Sequence, residues 1–244
     1  MLSVCVRARV DMQNDGSAVF TVSSLPGPGR SRAVACGDLN SDGRIDIILA
    51  HGNHADQVLL NSGSGTFPSV SVDLPGPSTT SRRSTRAIAL GDLDGDGDLD
   101  ALVGAEGENQ IIFNGGDGLV WTSLQLPRGT GDGQSMSNTL AVAIADLNGD
   151  GSLDAILGNA GRSSLILIND GSGQFIISDL IAGALTIEGV HGALAIADVN
   201  NDGALECVHG IPTRAPYLSP PASLAHCLCR PLKGRASNPA LAAY

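Results

Sequence analysis

Aromatic side chains are scarce in this chain: one Trp, two Tyr and four Phe make up 3% of its 244 residues. A core with so few large rings has to be built from small and β-branched side chains, and the 32 glycines point to turn-rich β structure. Lysine is scarcer still. Lys233 stands alone, and the formal net charge is −11. Without a dense basic stripe to replace phosphate counterions, a nucleic-acid partner is not expected, and cations are the better candidates. The five cysteines, Cys5, Cys36, Cys207, Cys227 and Cys229, give neither an even disulfide framework nor paired CxxC zinc spacing. No apolar run is long enough for a membrane span, and residues 1–13, a lead-in with arginines at 7 and 9, carry no secretory-signal pattern. GxSxG elbows, phosphate-binding loops and HExxH helices are also missing.

What the chain does contain is a repeat. One acidic block occurs four times, as GDLNSDGRID (37–46), GDLDGDGDLD (91–100), ADLNGDGSLD (145–154) and ADVNNDGALE (197–206). Its first aspartates fall at 38, 92, 146 and 198, in steps of 54, 54 and 52. An Ala-aliphatic-Ala triplet precedes each block in constant phase, at 33–35, 87–89, 141–143 and 193–195. After the block come a short apolar run and then a second one ending in Asn, which opens the turns NSGSGTF (61–67), NGGDGLV (114–120) and NDGSGQF (169–175). An earlier copy, NDGSAVF, occupies 14–20.

Apolar runs of four to six residues bounded by Gly, Asn and Asp are strand-length, so each repeat reads as four strands. Four-stranded units of this length, stacked radially, are the blades of an all-β propeller. The alanine triplets suit the crowded centre, where only small side chains fit the taper. Phe20, Phe67 and Phe175 share one position at the start of strand 4, and Trp121 reads as core. Register gives three full blades (about 32–74, 86–126 and 140–180) and two partial ones (14–24 and 193–210), so residues 14–210 predict an incomplete ring. Beyond Glu206 no acidic residue appears, while six of the twelve prolines do. Residues 211–244 therefore read as an atypical, poorly ordered tail.

Calcium takes six to eight oxygens, and a tight loop supplies them when carboxylates alternate with non-ligating residues. Counted from the first aspartate, positions 1, 3 and 5 are Asp38, Asn40 and Asp42; Asp92, Asp94 and Asp96; Asp146, Asn148 and Asp150; Asp198, Asn200 and Asp202. Position 6 is always glycine, and position 9 is Asp46, Asp100, Asp154 or Glu206. An EF-hand needs an acid at position 12, where this chain has Leu49, Val103, Leu157 and His209. Taken singly, such a block is a set of Asx turns; four in phase point to a metal loop closing between two adjacent strands.

The D-x-[DN]-x-D-G-x-x-[DE] pattern resembles the calcium loop between the first two strands of integrin α-subunit blades and of FG-GAP/VCBS repeat proteins. The resemblance covers about residues 14–210. It implies side-chain oxygens from positions 1, 3, 5 and 9, a backbone carbonyl from position 7 (Arg44, Asp98, Ser152, Ala204), and up to four calcium ions. The Phe-Gly and Gly-Ala-Pro signatures of the family are not visible, and Glu206 departs from the ninth-position aspartate. The function implied is a non-catalytic interaction or adhesion module for a protein or glycan ligand, extracellular or at the cell surface. The alternatives are an accessory or catalytic propeller domain of a carbohydrate-active enzyme, or a truncated inactive gene product. Catalysis would need acids converging outside the loops, where the chain offers scattered ones such as Glu106 and Glu108.

In an up-and-down blade the calcium loops share a face with the NxGxGxF turns. The opposite face carries longer, varied connections at 26–31, 75–85, 127–139 and 181–191, the kind that usually holds function. Arg82, Arg83 and Arg86, on one of these connections, are candidates for binding an anionic group. His51 and His54 read as ordinary loop residues.

Overall fold

The computed structural model describes residues 10–14, 20–26, 31–63, 65–68, 72–76, 84–126, 137–160, 164–177, 193–210 and 226–227. Every regular element among them is a strand. β1 (Val10–Asn14) and β2 (Phe20–Ser24) form an antiparallel pair. The first full blade is β3 (Ser31–Gly37), β4 (Asp46–His51), β5 (Gln57–Leu59) and β6 (Val72–Asp73). The second is β7 (Thr85–Gly91), β8 (Asp100–Gly107), β9 (Gln110–Asn114) and β10 (Trp121–Gln125). The third is β11 (Ser137–Ala145), β12 (Asp154–Asn159), β13 (Leu165–Asn169) and β14 (Phe175–Ile177). A partial fourth follows with β15 (Ala193–Ala197), β16 (Glu206–Gly210) and β17 (His226–Cys227).

Within each blade the strands pair antiparallel in sequence order. The ends of β8 and β11 also pair, Glu106 with Asn138 and Gly107 with Ser137, which joins the second and third blades into one eight-stranded sheet. The fold is thus an incomplete β-propeller. β17 is the described part of the 211–244 segment, and it takes the strand-3 place beside β16, with Cys207 opposite Cys227. No helix among the described residues is long and apolar enough to cross a membrane.

The second strand of each full blade is buried on both faces: β4 and β12 throughout, β8 over residues 100–105. A strand held between two neighbouring blades has no solvated face, which explains why DIILAH, DALVGA and DAILGN show no polar alternation. Residues on alternate faces divide between two cores. Leu39, Ile48, Val58 and Leu74 of the first blade meet Ala101, Val103, Ile112 and Trp121 of the second. On the other face of the second blade, Leu93, Leu102, Ile111 and Leu126 meet Ala155, Leu157 and Leu167 of the third. Each Leu or Ile buried this way contributes about 1.5–3 kcal/mol, so stability resides chiefly between blades.

The inner strands β3, β7, β11 and β15 lie side by side. They are where the alanine triplets fall, and the reason for small residues is visible at their ends. A Cβ added to Gly37 would lie 2.6 Å from Leu99 Cδ1, and one added to Gly91 would lie 2.5 Å from Ile144 Cδ1. In each case the next blade's aliphatic side chain fills the space the missing Cβ leaves.

Candidate metal centres

The four acidic blocks form loops between the first and second strands of successive blades. Backbone sterics shape them. Position 6 has a left-handed backbone in every copy, with φ of 81°, 93°, 93° and 84° at Gly43, Gly97, Gly151 and Gly203. Position 4 is left-handed too, at Ser41, Gly95, Gly149 and Asn201. Glycine adopts that conformation without cost, and Asn with little.

Each loop is tied by its own carboxylates. The position 1 aspartates accept the position 6 N–H on one oxygen: Gly43 to Asp38 (2.8 Å), Gly97 to Asp92 (3.0 Å), Gly151 to Asp146 (2.9 Å) and Gly203 to Asp198 (2.9 Å). The position 5 aspartates Asp42, Asp96, Asp150 and Asp202 accept the N–H of position 7 at 2.8–2.9 Å. At Asp150 the Ser152 N–H and the Asn148 amide hold the carboxyl below its usual range. In the first loop the Arg44 guanidinium also pairs with Asp42, and its Nε donates to the Asn61 carbonyl at 2.8 Å.

Position 9 is different in kind. Asp46, Asp100 and Asp154 are fully buried at the start of the second strand. One oxygen of each accepts the N–H of loop position 2, from Leu39 (3.0 Å), Leu93 (2.8 Å) and Leu147 (2.9 Å). The other accepts the N–H of the turn asparagine, from Asn61 (2.7 Å), Asn114 (2.8 Å) and Asn169 (2.9 Å). A single carboxylate therefore clamps the acidic loop to the turn after the third strand. Glu206 keeps the first bond, to the Val199 N–H (2.7 Å), and gives its second oxygen to the Asn200 amide (2.9 Å).

Whether the donors fit a cation is decided best in the second blade. Carboxylate oxygens of Asp92, Asp94 and Asp100 lie within 4.8 Å of one another. Burial raises the Asp94 carboxyl above its ordinary value, and the Asp96 and Asp92 charges push the same way against one Asp96 N–H bond. Asp100 is pushed up to about 6 by burial, with Asp94 and Asp96 adding to the rise while the Asn114 and Leu93 N–H groups oppose it. Asp154 is raised for the same leading reason. Converging hard oxygens under mutual repulsion are what a divalent cation satisfies.

Two groups of residues that matter here are not metal-ligand candidates. The turn asparagines reach back to the preceding blade: Asn114 Nδ2 donates to the Leu39 carbonyl (2.7 Å) and Asn169 Nδ2 to the Leu93 carbonyl (2.9 Å). Both also donate to their own blade, at Leu99 and Leu153. Because Leu39 and Leu93 occupy loop position 2, the first two acidic loops are each tethered to the next blade. On the other face, Asp56 accepts the His51 N–H (2.7 Å) and the Thr85 hydroxyl of the second blade (2.7 Å). The constant Asn after the third strand was the sequence signal for the first group; Asp56 has its counterpart in Asn109, which accepts the Ala105 N–H at 3.0 Å.

The loops do share a face with the Asn-Gly turns, since a Cβ on Gly116 would lie 2.6 Å from Asp98 Oδ2 and one on Gly171 2.9 Å from Ser152 Oγ. Of the arginine candidates, Arg82 and Arg83 lie outside the described residues. Arg86 pairs with Glu106 at 2.6 Å, which holds the Glu106 carboxyl below its usual range. His51 is buried, its ring edge-on to that of His54 at 6.5 Å. Trp121 lies in the core and donates from Nε1 to the Gly118 carbonyl at 2.9 Å.

The FG-GAP-like repeat pattern matches three times, at residues 38–103, 92–157 and 146–209. The chain belongs to the FG-GAP-like repeat family. Each match runs from one acidic loop through the next, so the FG-GAP-like unit follows the interval between first aspartates seen in the sequence. Integrin alpha-4 of Xenopus laevis is 29% identical over 157 residues, 56% of this chain and 15% of that protein. Cartilage acidic protein 1 of Xenopus tropicalis is 28% identical over 189 residues, 72% of this chain and 28% of that protein. The chain thus spans well under a third of these curated relatives. Among solved structures, an Agrocybe aegerita lectin that recognises non-reducing terminal N-acetylglucosamine superposes with a TM-score of 0.58 at 22% identity, over 83% of this chain and 55% of the lectin. The BBS1N domain, solved in complex with ARL6DN, gives 0.50 at 12% identity over 77% of this chain and 53% of that one. At these identities the likeness is one of fold.

Proposed function

We propose that this chain is a calcium-binding, non-catalytic propeller module that presents a surface to a protein or glycan ligand outside the cell or at its surface. The observation that carries the metal part is the convergence of Asp92, Asp94 and Asp100. Donors for each ion are the side chains at positions 1, 3, 5 and 9 and the position 7 carbonyl of Arg44, Asp98, Ser152 or Ala204. The ion's part is to offset the clustered negative charge and to tie the first strand of a blade to the second. The ligand part rests on family membership, with a glycan ligand favoured by analogy with the lectin of similar fold. The non-catalytic part is supported by Glu106, which is occupied by Arg86 and the Ser84 hydroxyl.

Calorimetric titration of calcium into chelator-treated protein tests the metal reading. Up to four ions per chain are expected, and Asp94→Ala should remove one while leaving the others. Titration without heat, or an unchanged stoichiometry in Asp94→Ala, contradicts it.

The pH dependence has a defined sign. Asp100 titrates near 6 in the fold against 3.8 for the free group, so in metal-free protein its ionisation costs stability fully above pH 6, and the cost disappears as pH falls toward 3.8. Calcium has to displace that proton. Apparent affinity at the second blade should therefore fall between pH 7.5 and pH 5, and equal affinities at the two values would contradict Asp100 as a ligand.

A further inference from the structure

In the three full blades the second residue of strand 2 is paired in register with an aliphatic residue of strand 3: Ile47 with Leu59, Ala101 with Ile112 and Ala155 with Leu167. All six are buried. The same place in the partial fourth blade is Cys207, and its register partner on β17 is Cys227. Both members of an otherwise aliphatic pair are cysteine here. Cys207 is buried and packs with Ile156 and Ile166 of the third blade, so it occupies the inter-blade core as its counterparts do.

What holds strand 3 differs in the fourth blade as well. In the full blades the position 9 aspartate accepts the N–H of the asparagine at or just beyond the end of strand 3, Asn61, Asn114 or Asn169, and so ties that strand to the acidic loop. Glu206 instead gives its two oxygens to the Val199 N–H and the Asn200 amide, both inside its own loop. Among the described bonds, no carboxylate clamp reaches β17. The strand also pairs with its neighbour through two residues, against three for β5, β9 and β13.

We propose that Cys207 and Cys227 form a disulfide, which fastens β17 in the strand-3 place where the carboxylate clamp is missing. Residues directly opposite on antiparallel strands have Cα atoms about 4.5–5.5 Å apart, inside the span of about 4.4–6.8 Å that disulfides bridge. Spacing along the chain could not select this pair; strand register does. The bond forms by exchange with a low-molecular-weight disulfide such as oxidised glutathione. The Cys227 thiolate attacks one sulfur of that disulfide and expels a thiolate. Cys207, shielded from solvent, then attacks the Cys227 sulfur of the mixed disulfide and expels the second thiolate. The protein is oxidised by two electrons, the small disulfide is reduced to two thiols, and the two protons given up by the cysteines end on the expelled thiolates.

Peptide mapping tests the bond. Folded, reduced protein is incubated with oxidised glutathione, denatured in an alkylating agent and digested with trypsin, which cuts after Arg214 and separates Cys207 from Cys227. A disulfide-linked pair of peptides is expected, one carrying Cys207 and the other Cys227 together with Cys229. Because those two cysteines travel on one peptide, variants assign the partner. Linkage should persist in Cys229→Ser and be lost in Cys227→Ser. Cys207 recovered alkylated, or as a mixed disulfide with glutathione, in the unsubstituted protein overturns the proposal, and so does linkage that survives Cys227→Ser. The fastening role has its own readout: the oxidised protein should melt at a higher temperature than the reduced one, and identical melting curves overturn it.

Discussion

Asp100→Ala is expected to lower stability by about 2–4 kcal/mol, and to do so in chelator as well as in calcium. The substitution strands two buried donors, the Leu93 and Asn114 N–H groups, each costing about 1–3 kcal/mol when left unpaired. Relief of the carboxylate's own burial offsets part of that loss. A ligand that served the metal alone would matter only when metal is present. Asp96→Ala is the contrast, because Asp96 is exposed and accepts the Asp98 N–H at the surface; in chelator it should cost less than 1 kcal/mol. Urea unfolding of both variants, with and without calcium, separates the roles. If the Asp100→Ala deficit vanishes in chelator, the clamp account is wrong.

The second large effect belongs to Asn114. Its amide donates to carbonyls in two blades, Leu39 and Leu99, and its side-chain oxygen accepts the Gly116 and Gly118 N–H groups. Asn114→Ala removes all four partners at a buried site, and a loss of about 2–4 kcal/mol is expected. Asn61 is the internal control. Its amide donates to Ile45 of its own blade, and its oxygen accepts the Gly63 N–H. Asn61→Ala should cost measurably less, because the described bonds of the Asn61 side chain reach no second blade. Equal losses by urea unfolding would show that the inter-blade bond contributes nothing.

These two residues also mark how far the sequence could be read. The strands, their order within a blade and the loop positions follow from local pattern: short apolar runs, Gly and Asn turns, and a phase kept over four copies. Asp100 was legible as a candidate ligand because it stands at a fixed distance from Asp92. Its clamp role was not, since that depends on two N–H groups brought to one buried carboxylate by strand pairing. Asn114 was legible as a turn residue. Its link to Leu39 spans 75 residues and joins one repeat to the next, a relation that a one-dimensional period does not contain. Asp56 was harder to see for a further reason: its repeat equivalents are Asn109, which accepts the Ala105 N–H as Asp56 accepts that of His51, and Ser164, so the residue type changes from blade to blade. The left-handed position 4 escaped notice because Ser, Gly and Asn all fill it.

Loop, clamp and inter-blade tether form one connected set of bonds, so cation binding is expected to stabilise the whole arc. A single site at a hundredfold excess of calcium over its dissociation constant adds about 2.7 kcal/mol. The most direct measurement is thermal unfolding of the unsubstituted protein in saturating calcium and in chelator. The account predicts a single transition that moves up by several degrees in calcium and returns fully on chelation. Superimposable curves in the two conditions would contradict it.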